Sequence, residues 1–263
     1  MRAIHLGIGL LAAGLALAAG KSEEVDLSKH FAGTQGGCIV LVDLKTGDTV
    51  RYKPERCKIR FSPCSTFKIP NSMIGLEAGV VKDLDHVFRW DGKPRSREAW
   101  NQDQTLRSAV RESAVWYFQK VAEGVGAQRM QKAVDSIPYG NRDLSGGLTK
   151  FWLESTLTIS ADEQVDFLRR LLRDELPFSK RTMELGRAVI VLDDQNGTVY
   201  RGKTGSGSNL GWFVGTVTGP RAEVAFAANG SGIGVNGMSV KKIVEAILAE
   251  RGIWPPPPPA PAP

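Results

Sequence analysis

Pro63-Cys64-Ser65-Thr66-Phe67-Lys68-Ile69-Pro70-Asn71 is the stretch on which the reading of this chain turns. Ser65 and Lys68 stand three positions apart, a spacing that puts both on one face of a helix, one turn from each other. A serine hydroxyl is a weak nucleophile until something takes its proton. A lysine amine within reach serves as that base only when it is uncharged near neutral pH, which requires burial and a lowered pKa. Phe67, Ile69 and Pro70 supply apolar neighbours, and a helix start favours negative charge developing on the oxygen. S-x-x-K by itself occurs by chance in many helices, so the remainder of the chain decides what it means.

Two further stretches extend the pattern. Ser113-Ala114-Val115 offers a hydroxyl able to relay a proton between Lys68 and a leaving nitrogen; taken alone, a serine at a helix start is ordinary. Lys203-Thr204-Gly205 follows a run of β-forming residues. Lys203 offers a cation and Thr204 a hydroxyl to an anionic substrate group, and Gly205 lets the backbone approach a ligand closely. The backbone N–H of Ser206 would then pair with that of Ser65 as an oxyanion hole. S-x-x-K, S-x-V and K-T-G in this order form the active-site set of serine β-lactamases and penicillin-binding proteins.

The sequence resembles a class D β-lactamase, the oxacillinase family, over about residues 61–253. The likeness is anchored at 63–71. It is carried further by Phe88-Arg89-Trp90-Asp91-Gly92-Lys93-Pro94, Tyr139-Gly140-Asn141, Phe151-Trp152-Leu153-Glu154 and Trp212-Phe213-Val214-Gly215. The second motif reads S-x-V and lacks the asparagine of S-D-N, as in class D. The resemblance implies an α+β fold of the serine β-lactamase and penicillin-binding-protein type. It implies hydrolysis of the β-lactam amide of penicillin-type antibiotics through an acyl-enzyme on Ser65, hence antibiotic resistance. Lys68, carboxylated by carbon dioxide to N6-carboxylysine, would be the general base for acylation and deacylation, with the Trp152 indole N–H holding the carbamate. Ser113 would complete the catalytic set, and Lys203, Thr204, Gly205, Ser206 and Val115 would contact substrate. No metal and no cofactor beyond carbon dioxide is implied. The alternative is a penicillin-binding sensor or transpeptidase that acylates without turnover.

Two positions depart from the family pattern. Many class D enzymes hold the substrate carboxylate with an arginine near the start of the last helix, and Val240 stands there, between Ser239 and Lys241. Carboxylate recognition would then rest on Lys203, Thr204, Ser208 or a displaced lysine. The loop over 206–211 is also short.

Composition fits this reading. The chain has 263 residues, 42% hydrophobic and 24% charged, the balance of one compact unit or two closely packed lobes. The net charge of +6 comes from lysines and arginines scattered among acids, with no basic tract of the kind that binds nucleic acid. Residues 1–19 read as a secretory signal: Met1-Arg2 is a short positive start, 8–17 an apolar stretch, and Ala16-Leu17-Ala18 a small-residue cleavage pattern. A secreted, periplasmic enzyme with no membrane segment after cleavage is expected, acting as a monomer or homodimer on a small β-lactam. The domain spans 20–254, and 255–263 form a proline-rich tail outside it. Export permits one bridge among Cys38, Cys57 and Cys64. Cys38–Cys57 is the pair favoured because Cys64 adjoins Ser65; three buried thiols is the equal alternative.

The coarse pattern is strands early and late with helices between. A hairpin is expected over 38–42 and 49–52, and a helix over 65–79. Helices are expected over 115–122 and 161–173, the latter entered through a Ser160/Glu163 capping box. Strands follow over 187–192, 198–203, 211–217 and 223–228, then a helix over 239–250. This gives α+β: one antiparallel sheet formed by both termini, packed against a mainly helical lobe.

Three other motifs compete. Residues 197–204 match the P-loop pattern letter for letter, but β-forming residues lie between the glycines, and a helix beginning at Lys203 would be needed. Residues 232–237 match G-x-G-x-x-G without a strand afterwards to complete a βαβ unit. Lys45-Thr46-Gly47 repeats K-T-G at a hairpin tip. Neither a Ser-His-Asp hydrolase nor a zinc site is supported by the sparse histidines.

Overall fold

The structure is a computed structural model that describes residues 20–137 and 139–255. The expected signal at 1–19 and all but the first residue of the proline tail lie outside the described residues.

The chain enters through β1 (Ser22–Glu24), β2 (Gly36–Asp43), β3 (Thr49–Tyr52) and a single turn α1 (Pro54–Cys57). A 3-10 turn, Cys64–Phe67, runs directly into α2 (Lys68–Glu77). The helical lobe continues with α3 (Leu106–Arg111), α4 (Val115–Val125), α5 (Ala127–Ser136), α6 (Ala161–Leu172) and α7 (Lys180–Ala188). A small ladder of β4 (Val87–Phe88) and β5 (Gln104–Thr105) precedes α3. The chain then returns to the sheet with β6 (Val191–Gln195), β7 (Thr198–Ser206), β8 (Leu210–Thr218) and β9 (Glu223–Ser231), and closes with α8 (Gly237–Glu250).

The seven-stranded sheet has the order β1-β3-β2-β9-β8-β7-β6, so β2 beside β9 joins the two ends of the chain as expected. All its pairs are antiparallel except β1 with β3, which is parallel and corrects the purely antiparallel expectation at one edge. Side chains alternate across the sheet. On β2, Cys38 and Val40 enter the large core shared with the helical lobe, while Ile39 and Leu41 enter a second core under α8. The sheet is therefore covered on both faces.

Residues 187–192 are not one strand. Ser179 caps a helix through Thr182 N–H, and α7 runs on to Ala188, so β6 starts only at Val191, opposite Arg201. The run Ala188-Val189-Ile190-Val191-Leu192 is short and apolar, and periodicity cannot separate a strand from a buried helix end at that length. Close packing decides it: a Cβ on Gly186 would lie 2.8 Å from Met73 Cγ, so α7 sits tightly on α2. The Ser160/Glu163 capping box is present. The Cys38–Cys57 bridge is not formed; all three cysteines are free and buried. Cys57 Sγ instead donates to Tyr52 O at 3.5 Å, and Cys38 Sγ accepts from Asn229 Nδ2 at 3.3 Å.

The competing motifs resolve as turns and strand. Lys203 continues β7 and begins no helix, which removes the P-loop reading. Gly232 and Gly234 take positive φ in the turn before α8, with no strand after it among the described residues. Gly47 takes positive φ between β2 and β3.

Candidate active site

The turn that carries Ser65 is held from below by side chains. Thr66 Oγ1 donates to Pro63 O at 2.8 Å and accepts from Gln164 Nε2 of α6 at 2.8 Å. Gln164 Oε1 in turn accepts from Tyr139 Oη at 3.3 Å. Ser62 ties the same turn to two other segments. Its Oγ donates to Trp152 O at 3.1 Å and accepts from Glu154 N–H at 3.0 Å, while its carbonyl accepts from Trp212 Nε1 at 2.9 Å. That last bond occupies the carbonyl that Ser65 N–H would meet by i→i−3 pairing, leaving Ser65 N–H as a first-turn donor. Neither Gln164 nor Ser62 carries a sequence signal; their roles come from non-local packing.

Lys68 opens α2 and is fully buried. Its Nζ is hydrogen-bonded to Ser65 Oγ at 2.7 Å and lies 5.6 Å from the centre of the Phe118 ring. Phe67 stacks on Trp152 at 5.7 Å and meets Phe151 edge-on at 5.0 Å, closing the apolar wall behind the turn. Burial, then the neighbouring Lys203 charge, holds the Lys68 pKa well below the ordinary lysine value. The enclosure contains two orphaned polar atoms, Trp152 Nε1 and Asn71 Oδ1, both buried with no hydrogen-bond partner.

Ser113 sits between α3 and α4 with a φ of 58°, a left-handed conformation that costs an L-residue roughly 1 kcal/mol. Its Oγ accepts from Lys203 Nζ at 3.1 Å, not from Lys68, so the expected Ser113 relay is attached to the other lysine. Lys203 is also buried and donates to Thr204 O at 3.0 Å. Desolvation, reinforced by the nearby Arg97 charge, lowers its pKa to about 7. Arg97 is a contributor that the motifs did not disclose. Val115 is the first residue of α4 and half-buried.

The K-T-G strand lies against the turn that carries Ser65. A Cβ on Gly205 would be 2.8 Å from Pro63 O and 3.3 Å from Thr66 N, so only glycine allows this approach. Antiparallel ladders alternate bonded and non-bonded pairs. Gly207 N–H donates to Leu210 O at 2.8 Å, so the neighbouring pair, Ser206 with Gly211, is non-bonded. The Ser206 N–H thus points away from β8, towards the edge of β7 that β6 leaves open beyond Arg201. Ser208 drops out of the anion-binding set. Its N–H and Oγ both donate to the Glu154 carboxylate, at 2.8 and 3.1 Å, and that negative charge would repel a substrate carboxylate.

Among the described residues no cluster of metal-ligating side chains occurs, and no helix is long and apolar enough to cross a membrane.

Residues 37–249 match the family described as the penicillin binding protein transpeptidase domain. The β-lactamase OXA-20 of Pseudomonas aeruginosa is 40% identical over 79% of this chain and 79% of its own. Among solved structures, the class D β-lactamase BAT-2 superposes with a TM-score of 0.83 at 37% identity, covering 87% of this chain and 96% of that one. The C-terminal domain of the Bacillus licheniformis BlaR penicillin receptor gives 0.85 at 33% identity, over 91% of this chain and all of that one. The chain belongs to the penicillin-binding-protein transpeptidase family, in its class D β-lactamase branch.

Proposed function

We infer that the protein is a β-lactam hydrolase in which Ser65 attacks the lactam carbonyl and Lys68 is the base. The observation that carries this is the 2.7 Å contact between Ser65 Oγ and a fully buried lysine whose surroundings disfavour its charge. An uncharged amine can add carbon dioxide, and the anion it becomes would accept the serine proton as the C–O bond forms. Two N–H groups, of Ser65 and Ser206, take the charge that develops on the carbonyl oxygen. The lactam nitrogen leaves with a proton from Ser113, replenished by Lys203, whose pKa of about 7 suits it to donate near neutrality. Thr204 and the Lys203 cation hold the substrate's anionic group, and Val115 and Gly205 shape the walls.

Carboxylation of Lys68 fits the enclosure: a neutral amine adds carbon dioxide, and the orphaned Trp152 N–H needs an acceptor. When present, the carbamate supplies an anionic base for both acylation and the attack of water on the acyl-enzyme. Trp152 and Phe67 keep the base dry and fix its orientation. Export, with removal of 1–19, places the enzyme in the periplasm, where it would confer antibiotic resistance.

The likeness to the BlaR domain favours one second reading, a receptor that is acylated and stays so. Following a chromogenic β-lactam with purified protein separates the two. Sustained turnover, faster with added bicarbonate, is expected; a single stoichiometric burst would overturn hydrolysis and leave the receptor.

A further inference from the structure

The glycine-rich stretch 232–237, which completes no βαβ unit, lies directly against the hairpin that carries Ser206. Ser206 and Gly211 face each other as a non-bonded pair near the tip of the β7–β8 ladder, and β6 pairs with β7 no further than Arg201. The sheet therefore gives the Ser206 backbone no ladder bond of its own on either side. What holds the pair comes from the start of α8. Gly237 N–H donates to Ser206 Oγ at 2.9 Å. A Cβ on Gly211 would lie 2.2 Å from Asn236 O, so the carbonyl next to that donor rests on the other member of the pair. The hairpin tip is tied as well, since Gly232 N–H donates to Asn209 O at 3.1 Å.

The glycines serve different ends. Gly232 and Gly234 take positive φ and reverse the chain before α8, whereas Gly237 is not among the positive-φ residues. At Gly237 the limit is space. A Cβ there would lie 2.7 Å from Gly205 O and 2.8 Å from Thr204 Cβ, striking two residues of the K-T-G set at once. Asn236 fixes how α8 begins: its Oδ1 accepts from Met238 N–H at 2.9 Å and from Ser239 N–H at 3.2 Å. The first N–H of the helix, that of Gly237, is left to Ser206.

We propose that Gly237 is a positioning residue: its N–H holds the Ser206 side chain so that the Ser206 N–H stays aimed at the lactam carbonyl oxygen. Its missing side chain lets α8 begin this close to Thr204 and Gly205. Ser206 then acts twice, with its N–H on the substrate and its Oγ on the fold; this rests on the β-lactam reading, in which that N–H is an oxyanion donor. Single-turnover acylation by a chromogenic β-lactam, followed after rapid mixing, separates rate constant from half-saturation and counts only active protein. Ser206→Ala keeps the N–H and deletes its anchor, so the acylation rate constant should fall roughly tenfold with half-saturation unchanged. Ser206→Thr, which keeps the acceptor, should recover most of that loss. Gly237→Ala should cost about 100-fold in the rate constant, while Ile233→Ala, at the exposed tip of the same turn, should leave it unchanged. Rate constants within about twofold of the parent in both Ser206→Ala and Gly237→Ala, or a loss seen only in half-saturation, would overturn the positioning role. The hydrolase reading fails separately: a single stoichiometric burst would remove turnover, yet slower acylation in Ser206→Ala would still support the role of Gly237.

Discussion

At the scale of single residues, two lysines in one enclosure are driven the same way by the same cause and used differently. Removal from water penalises the ammonium form of both. In the proposed reaction Lys68 is needed uncharged, so that it can add carbon dioxide and take the Ser65 proton as the carbamate; Lys203 is needed charged, as an anion contact and proton donor. The consequence appears in the pH profile. As pH rises through about 7, Lys203 loses its proton and kcat/KM should fall on the alkaline side, since that ratio reports the free enzyme. Lys203→Arg, charged throughout, should flatten that limb whatever its absolute rate; a limb unchanged in Lys203→Arg would remove Lys203 from this role. Ser65→Ala should abolish turnover of a penicillin. Lys68→Ala should leave at best slow acylation, with an acyl-enzyme that accumulates in mass spectrometry and is not relieved by bicarbonate. The contact of Lys68 with Ser65 was legible because it depends on local spacing. Ser113's attachment to Lys203, the Glu154 clamp on Ser208 and the charge of Arg97 were not, because each arises between segments far apart in the chain.

At the scale of elements, the site depends on how closely β7 approaches the turn that begins α2. Gly205→Ala would put a methyl group 2.8 Å from Pro63 O and push the Ser206 N–H away from Ser65. Misplacement on that scale costs about 100-fold in rate, so kcat/KM should drop by about that factor while circular dichroism stays native. A loss under threefold would mean the approach is not critical. The capping box of α6 was legible from Ser160 and Glu163 alone, and Ser160→Ala should cost about 1 kcal/mol, or a fall of about 2–4 °C in Tm. By contrast, the boundary between α7 and β6 was not legible. An apolar run reads equally as strand or as buried helix end, and only the fit of Gly186 on Met73 resolves it.

At the scale of the whole molecule, joining β2 to β9 brings the first and last parts of the sheet together, and this was legible from strands placed early and late. The parallel pairing of β1 with β3 was not, since Ser22–Glu24 is short, exposed and without alternation. The enclosure also has a global cost. Lys203 has a folded pKa of about 7, against about 10.4 in an unfolded chain, and Lys68 is lowered as well. Between these values the unfolded state binds more protons, so stability should rise as pH increases from about 7 to about 10. Urea unfolding across that range should show the rise, with a smaller slope in Lys203→Met.

Everything proposed for the reaction depends on the buried amine of Lys68 becoming an anionic base. The most direct measurement is carbon-13 NMR of the protein equilibrated with labelled bicarbonate. A carbamate resonance is expected that disappears in Lys68→Ala, weakens in Trp152→Phe, and fades on acidification together with turnover. Full β-lactam turnover with no such resonance, or a resonance that survives in Lys68→Ala, would contradict it.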